Sequence, residues 1–415
     1  MTGPSLARRL GTLDAVVIGL GSMIGAGVFS AFAPAAAAAG SGLLIGLGVA
    51  AVVAYCNATA SAQLAAAYPV SGGTYVYGRE RLGPWWGFLA GWGFVVGKTA
   101  SCAAMALTFA AYVAPPSWQR PVAVVAVIAM AAVNYRGVTR TARLTRVIVA
   151  VVLAVLALVV TVCLTGPTGS TRVLHALGGH GVYGVLQSAG LLFFAFAGYA
   201  RIATMGEEVR DPARTIPRAI VLALGLAVGG YAAVGVTLLV TLGPDRLAAA
   251  AAPLAAAVAA AHRGWAVPLV AVGGGAAALG ALLALVAGVG RTALAMARGG
   301  DLPRWLGAVH PVHRVPHHAE LALAAVVSVL VLAVDLRGAI GFSSFGVLLY
   351  YLIANLAAFT QPARQRRFPR WLQVLGAAGC VLLVATLPWT SVVAGLAVFA
   401  VGIAVRAWRV AVRTA

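Results

Sequence analysis

A single lysine, Lys98, stands in this chain of 415 residues, in the middle of the apolar stretch Gly97-Lys98-Thr99-Ala100-Ser101-Cys102. An ammonium at the centre of a bilayer costs from about 2.5 kcal/mol upward, so it must face oxygen atoms inside a bundle rather than lipid. Two roles suit such a group: a carrier of protons, or a structural lysine that ties together carbonyls at a helix break.

Two glycine-containing breaks would free such carbonyls, Gly21-Ser22-Met23-Ile24-Gly25-Ala26-Gly27-Val28-Phe29 and Phe193-Phe194-Ala195-Phe196-Ala197-Gly198-Tyr199. Each interrupts an apolar segment long enough to cross a membrane. Unpaired backbone groups there cost several kcal/mol each unless something polar fills the gap. The freed groups match an amino acid, whose carboxylate and ammonium both need partners once they leave water. N–H groups at Ala26 and Gly27, where the first helix restarts at the positive end of its dipole, suit the carboxylate. Carbonyls near Met23, and those of Phe194 and Ala195 opposite, suit the ammonium, with Phe194, Phe196 and Tyr199 as aromatic walls. Ile24, Gly25 and Gly198 complete the candidate set, glycine allowing non-helical dihedrals and close approach of a ligand to the backbone. The other reading of Gly21-x-x-x-Gly25 is a small-residue packing face between helices. The second break, at the matching position of the other half of the chain, favours a substrate site.

The elements that must carry these residues follow from composition. With 62% hydrophobic and 9% charged residues and a mean hydropathy of +0.97, the chain has too little polar surface for a soluble globule. A crossing helix needs roughly 20 apolar residues. Twelve candidates appear, at about 13–38, 42–67, 85–114, 120–135, 143–165, 183–205, 216–242, 265–297, 319–335, 338–360, 370–387 and 389–408. One membrane domain, residues 1–415, accounts for the whole chain. Residues 1–39 resemble a signal peptide only in outline, because the apolar run is too long and carries the glycine break.

The net charge of +20 would suggest nucleic acid in a soluble protein. With twelve spans and a cytoplasmic N-terminus, however, twenty-one arginines fall on the inner side against Arg120, Arg172, Arg246, Arg263 and Arg337 outside. That is the positive-inside bias of a protein in the cytoplasmic membrane with both termini inside. The four cysteines lie within spans without CxxC spacing and read as packing residues, and no cofactor is implied. His310, His313, His317 and His318 sit in a basic inner loop without an acidic or cysteine partner, which argues against a metal.

Four stretches carry a family resemblance: Gly21–Phe29; Pro69–Gly73 with Tyr75 and Tyr77; Phe196–Gly198 through Glu207-Glu208 to Pro212 and Pro217; and Arg291–Pro303. In this order over most of the chain, they make it resemble the amino acid–polyamine–organocation (APC) family of secondary transporters. The resemblance implies an all-α membrane protein with a LeuT-like core. Two inverted five-helix repeats, about 13–165 and 183–360, make up that core, helices one and six are unwound at the midplane, and two helices at about 370–408 are additional. It implies transport of amino acids or related amines by alternating access.

The chain departs from the family where ions are concerned. Many relatives carry a lysine in span five; the matching position here is about Val152. Hydroxyls from helix eight usually help to ligate sodium, yet Gly273–Val289 contains neither serine nor threonine. Coupling is therefore expected to be proton-linked through Lys98, or absent with exchange or facilitated movement instead. All nine carboxylates fall at span ends or in loops, so no midplane counter-ion is expected for a cationic side chain, and the substrate leans toward neutral L-amino acids. Arg201 lines the inward pathway or snorkels toward the interface. Glu207 and Glu208, beside Arg210, Arg214 and Arg218, read as a cytoplasmic gate network or as an ordinary solvated cluster. A polyamine or organic-amine carrier would want buried carboxylates, and an intramembrane enzyme would want acid–base pairs within the spans. Both are missing from the sequence.

Overall fold

The computed structural model describes residues 11–68, 72–137, 142–166, 181–199, 202 and 209–414, and these are helical almost throughout. Alanine- and leucine-rich apolar stretches form helices because only intra-segment hydrogen bonding satisfies a backbone in lipid. In chain order the helices are α1 (Thr12–Met23), α2 (Ala26–Ser30), α3 (Phe32–Ala39), α4 (Leu43–Ala67), α5 (Thr74–Leu82), α6 (Pro84–Val113), α7 (Gln119–Tyr135) and α8 (Ala142–Leu164). There follow α9 (Gly181–Phe196), α10 (Pro212–Ala249), α11 (Pro253–Ala260), α12 (Val267–Arg298), α13 (His317–Ala333), α14 (Leu336–Phe359), α15 (Arg370–Thr386) and α16 (Trp389–Thr414).

Ten helical segments among the described residues are long and apolar enough to cross a membrane. Two further apolar helices, α13 and α15, are shorter, at 17 residues each. The expected spans follow these segments, the first (13–38) running past Ser30 into α3 and the sixth (183–205) passing beyond the described residues, and the described residues form an all-helical, multi-span membrane protein.

α6, which carries Lys98, lies at the centre of the bundle, packed on α12 along one side and α14 along the other. The second contact is close because small residues face each other: a methyl group on Gly346 would come within 2.7 Å of the Gly93 carbonyl. α4 packs on α9 and α10, and α1 on α10 and α8. Both glycine-containing stretches are thereby held inside the bundle, against each other.

Candidate functional site

The first break falls where glycine permits it. α1 ends at Met23, Gly25 leaves helical geometry with ψ −146°, and the helix restarts at Ala26. In the second break α9 runs to Phe196 and tightens into a 3₁₀ turn over Ala197–Tyr199. The two cross with backbone on backbone. A methyl group on Gly198 would come within 2.1 Å of the Ser22 carbonyl oxygen, and one on Gly27 within 2.7 Å of Ala195 Cα. Glycine at 27 and 198 is therefore set by the approach of one chain segment to the other.

Beside this crossing lies a cavity of about 270 Å³. Of the residues singled out from the sequence, Met23, Gly25, Gly27, Phe194, Ala195, Gly198 and Lys98 line it. Ile24, Phe196 and Tyr199 do not: Phe196 is fully buried edge-on to Tyr231, Tyr199 stacks on Tyr351 at 4.9 Å, and Ile24 points to a second, apolar cavity. Ala26 restarts the helix at the edge of the break. Arg201, Glu207 and Glu208 lie outside the described residues.

Lys98 is 7% exposed, and its ammonium donates to the Ala197 carbonyl at 3.3 Å. Tyr351 donates to the same oxygen, also at 3.3 Å. The carbonyl released where α9 gives way to the 3₁₀ turn thus has an ammonium and a phenol as partners. The carbonyls of Met23 and Ala195, expected to be open to a ligand, both face the Tyr231 hydroxyl, at 2.6 and 3.0 Å. A phenol has one proton, so one of the two carbonyls at a time remains free to accept from elsewhere. Tyr231, on α10 behind the crossing, was missed by the sequence reading; its signal was a lone phenol in mid-span beside Gly229-Gly230.

The far wall adds Ser101, whose hydroxyl pairs with Ser343 at 2.6 Å, and Tyr350, whose ring meets Phe94 at 5.4 Å. The Tyr350 hydroxyl accepts from the Thr74 N–H at 3.1 Å, fixing the start of α5 to α14. Toward the α5 end the cavity is lined by Gly72, Tyr75 and Arg291. Tyr75 donates to Asp301 at 3.0 Å and accepts from Arg79 at 2.9 Å. Burial, reinforced by the negative charge of Asp301, pushes its phenol up to about 12, so it stays a donor at physiological pH.

Asp301 is the convergence point of this end. It also pairs with Arg79 at 3.3 Å and with the buried Arg406 of α16, whose guanidinium donates further to the Pro84 carbonyl and lies over Trp85 and Phe88. Among the described carboxylates, two of those read as loop or span-end groups, Asp301 and Glu320, are buried. Loop residue Asp301 folds back under α12, and Glu320, in the first turn of α13, packs against Gly290 of α12. Among the described residues no carboxylate lines the cavity. Nor does any group of three or more His, Cys, Asp or Glu there stand as a metal set. His310, His313 and His317 pack around Tyr135, and His318 packs on His317 and Trp305.

Two interrupted helices crossing at a buried, main-chain-lined cavity form the kind of site found in transporters with discontinuous spans. A profile for the amino acid permeases matches residues 10–407. The chain belongs to the amino acid permease family. The permease is 62% identical over 399 residues to a transporter of Mycobacterium tuberculosis (strain ATCC 25618 / H37Rv), covering 96% of this chain and 90% of that one. It is 24% identical over 433 residues to the branched-chain amino acid permease of Bacillus subtilis (strain 168), covering 97% and 92%. It is 30% identical over 379 residues to the human cationic amino acid transporter 4, covering 84% of this chain and 58% of the relative. The permease is thus a membrane transporter and not an enzyme, and the resemblance read from the four motifs is that of its family.

Proposed function

We propose that this permease is a secondary active transporter of neutral L-amino acids, working by alternating access across the cytoplasmic membrane with both termini on the cytoplasmic side. The observation that carries this reading is the cavity between the two helix breaks, where main chain from both meets Lys98. The restart of the first helix at Ala26 and Gly27 receives the substrate carboxylate. The carbonyl of Met23 or Ala195, whichever Tyr231 leaves free, receives the ammonium. Residues 13–165 and 183–360 act as two inverted repeats around this site within a single transmembrane domain, and the helices at 370–408 brace it. Arg201, Glu207 and Glu208 belong to the cytoplasmic gate.

The human relative's name speaks of cationic amino acids and the Bacillus relative's of branched-chain ones. Here the described cavity wall carries Lys98 and Arg291 and no carboxylate, which favours an uncharged side chain. Lys98 links protonation to transport: protonated, it holds the Ala197 carbonyl across the second break, and neutral, it releases it.

Flux measured in proteoliposomes from about pH 5 to 8.5 tests the link. Lys98→Met should bind substrate but show a flat pH profile, and Lys98→Arg should hold the charged condition because a guanidinium does not deprotonate. Superimposable profiles for all three forms would leave Lys98 a structural residue and the permease an exchanger or a uniporter.

A further inference from the structure

A second cavity, of about 440 Å³, opens between α1, α8 and α10 on the outer surface of the bundle. Its wall is largely apolar, with Leu20, Ile24, Leu153, Leu156 and Leu226 joined by Tyr231 and by one hydroxyl residue, Thr161. None of the described residues fills it. Three glycines of α10, Gly225, Gly229 and Gly230, have no atom within 4 Å of where a side chain would begin. Leu153, Leu222 and Leu226 are exposed, as befits surfaces in contact with hydrocarbon.

The same helix faces end in charge. On α10, Arg218, Leu222, Leu226 and Gly230 follow one another every four residues, and on α8, Arg146 precedes Leu153 by two turns on one face. Arg146 and Arg218 are both exposed. At about 1.5 Å of rise per residue, Arg218 lies about 18 Å from Gly230 and Arg146 about 15 Å from Leu156. One leaflet of a bilayer presents about 15 Å of hydrocarbon, half of its apolar core. The cavity therefore sits one acyl-chain length from a pair of guanidinium groups.

We propose that this groove is a binding site for one anionic phospholipid, its phosphate between Arg146 and Arg218 and one acyl tail lying along Leu153 and Leu226 onto the Tyr231 ring. Arg146 is partly held by Asp14 of α1 at 3.5 Å, so the headgroup also meets the end of the first span. The tail braces Tyr231 from behind, and through its hydroxyl the carbonyls of Met23 and Ala195. The occupant of the groove thereby bears on both helix breaks without entering the cavity between them.

Native mass spectrometry of the full-length, delipidated permease, resupplied with dioleoyl phosphatidylglycerol or dioleoyl phosphatidylcholine, tests the site. The wild type should retain one phosphatidylglycerol in preference to phosphatidylcholine by roughly 25-fold, about fivefold for each arginine. Arg218→Gln should keep a bound lipid and lose most of that preference. Gly230→Leu should fill the groove and lose the lipid altogether, along with the rise in melting temperature that phosphatidylglycerol brings. Ala233→Leu, at another residue of the groove wall, is the second filling variant, and the leucine at 230 also favours the helix over glycine. Equal retention of the two lipids by the wild type, or unchanged retention by both leucine variants, would overturn the proposal. Neither result touches amino acid binding at the first cavity, which is scored separately by thermal shift with amino acids.

Discussion

Tyr231 shows how one side chain sets the state of the site. Its hydroxyl stands within hydrogen-bonding distance of two carbonyls from different broken helices, Met23 and Ala195, and its ring is buried against Phe196. Tyr231→Phe keeps the ring and removes the side-chain donor that, among the described residues, serves both carbonyls. Leaving a buried acceptor unsatisfied costs about 1–3 kcal/mol. The variant should melt at a lower temperature than the wild type in the same detergent, and a saturating amino acid should restore more of the loss, since the ligand ammonium meets the freed oxygen. An unchanged melting temperature would mean that these carbonyls are served by other groups. Gly27 is a poorer probe than its place in the sequence suggested: a side chain there strikes the Ala195 backbone and separates the two segments before any ligand is involved. Gly25 is cleaner, its added methyl group meeting first the side chain of Ala281 at 3.3 Å.

At the scale of elements, the feature with most leverage is the junction of α5, α12 and α16 around Asp301. One carboxylate there joins Arg79 of α5 to Arg406 of the final spanning helix, and Tyr75, which touches the same oxygen as Arg79, lines the cavity. Both Asp301 and Arg406 are almost fully buried. Breaking a buried pair by removing one partner costs about 3–5 kcal/mol, because a charge is left without compensation. Arg406→Met should therefore unfold at a distinctly lower denaturant concentration. Asp301→Asn in the same chain should recover part of the loss, as a double-mutant cycle for a coupled pair requires. Strict additivity of the two substitutions would show that α16 is not coupled to this junction. The sequence marked Gly299-Gly300-Asp301-Leu302-Pro303 only as a turn; that the turn folds back under α12 became visible with Arg406, which lies 105 residues further along the chain.

For the whole molecule, the prediction concerns ions. The middle of α12 offers no hydroxyl between Gly273 and Val289, and Val152 of α8 is a buried aliphatic residue. A hard cation needs oxygen ligands, and neither Gly273–Val289 nor Val152 supplies a side chain for one. Amino acid uptake into proteoliposomes should therefore persist at an undiminished rate when sodium is replaced by potassium or choline at fixed pH. A steep dependence on sodium would mean that main-chain carbonyls at the crossing suffice to hold the ion.

The sequence by itself determined the solvent of this protein, its helical class, its family and the location of both breaks. These are local properties: the hydropathy of a segment long enough to span a bilayer, the sign bias of its loops, and a glycine that frees backbone groups can each be read within a window of a few turns. It also marked Lys98 as a residue that needs oxygen partners, since that cost comes from its depth alone. Only the tertiary structure decided which partners. Ala197 receives Lys98 across 99 residues, Tyr231 reaches Met23 across 208, and Tyr350 reaches Thr74 across 276. Rotation of each helix about its own axis selects such pairs, and that rotation is fixed by packing against neighbours. The same reason removed Phe196 and Tyr199 from the cavity wall. In a chain so uniformly apolar, the side chains facing lipid, core and cavity are chemically alike, and only the assembled bundle tells them apart.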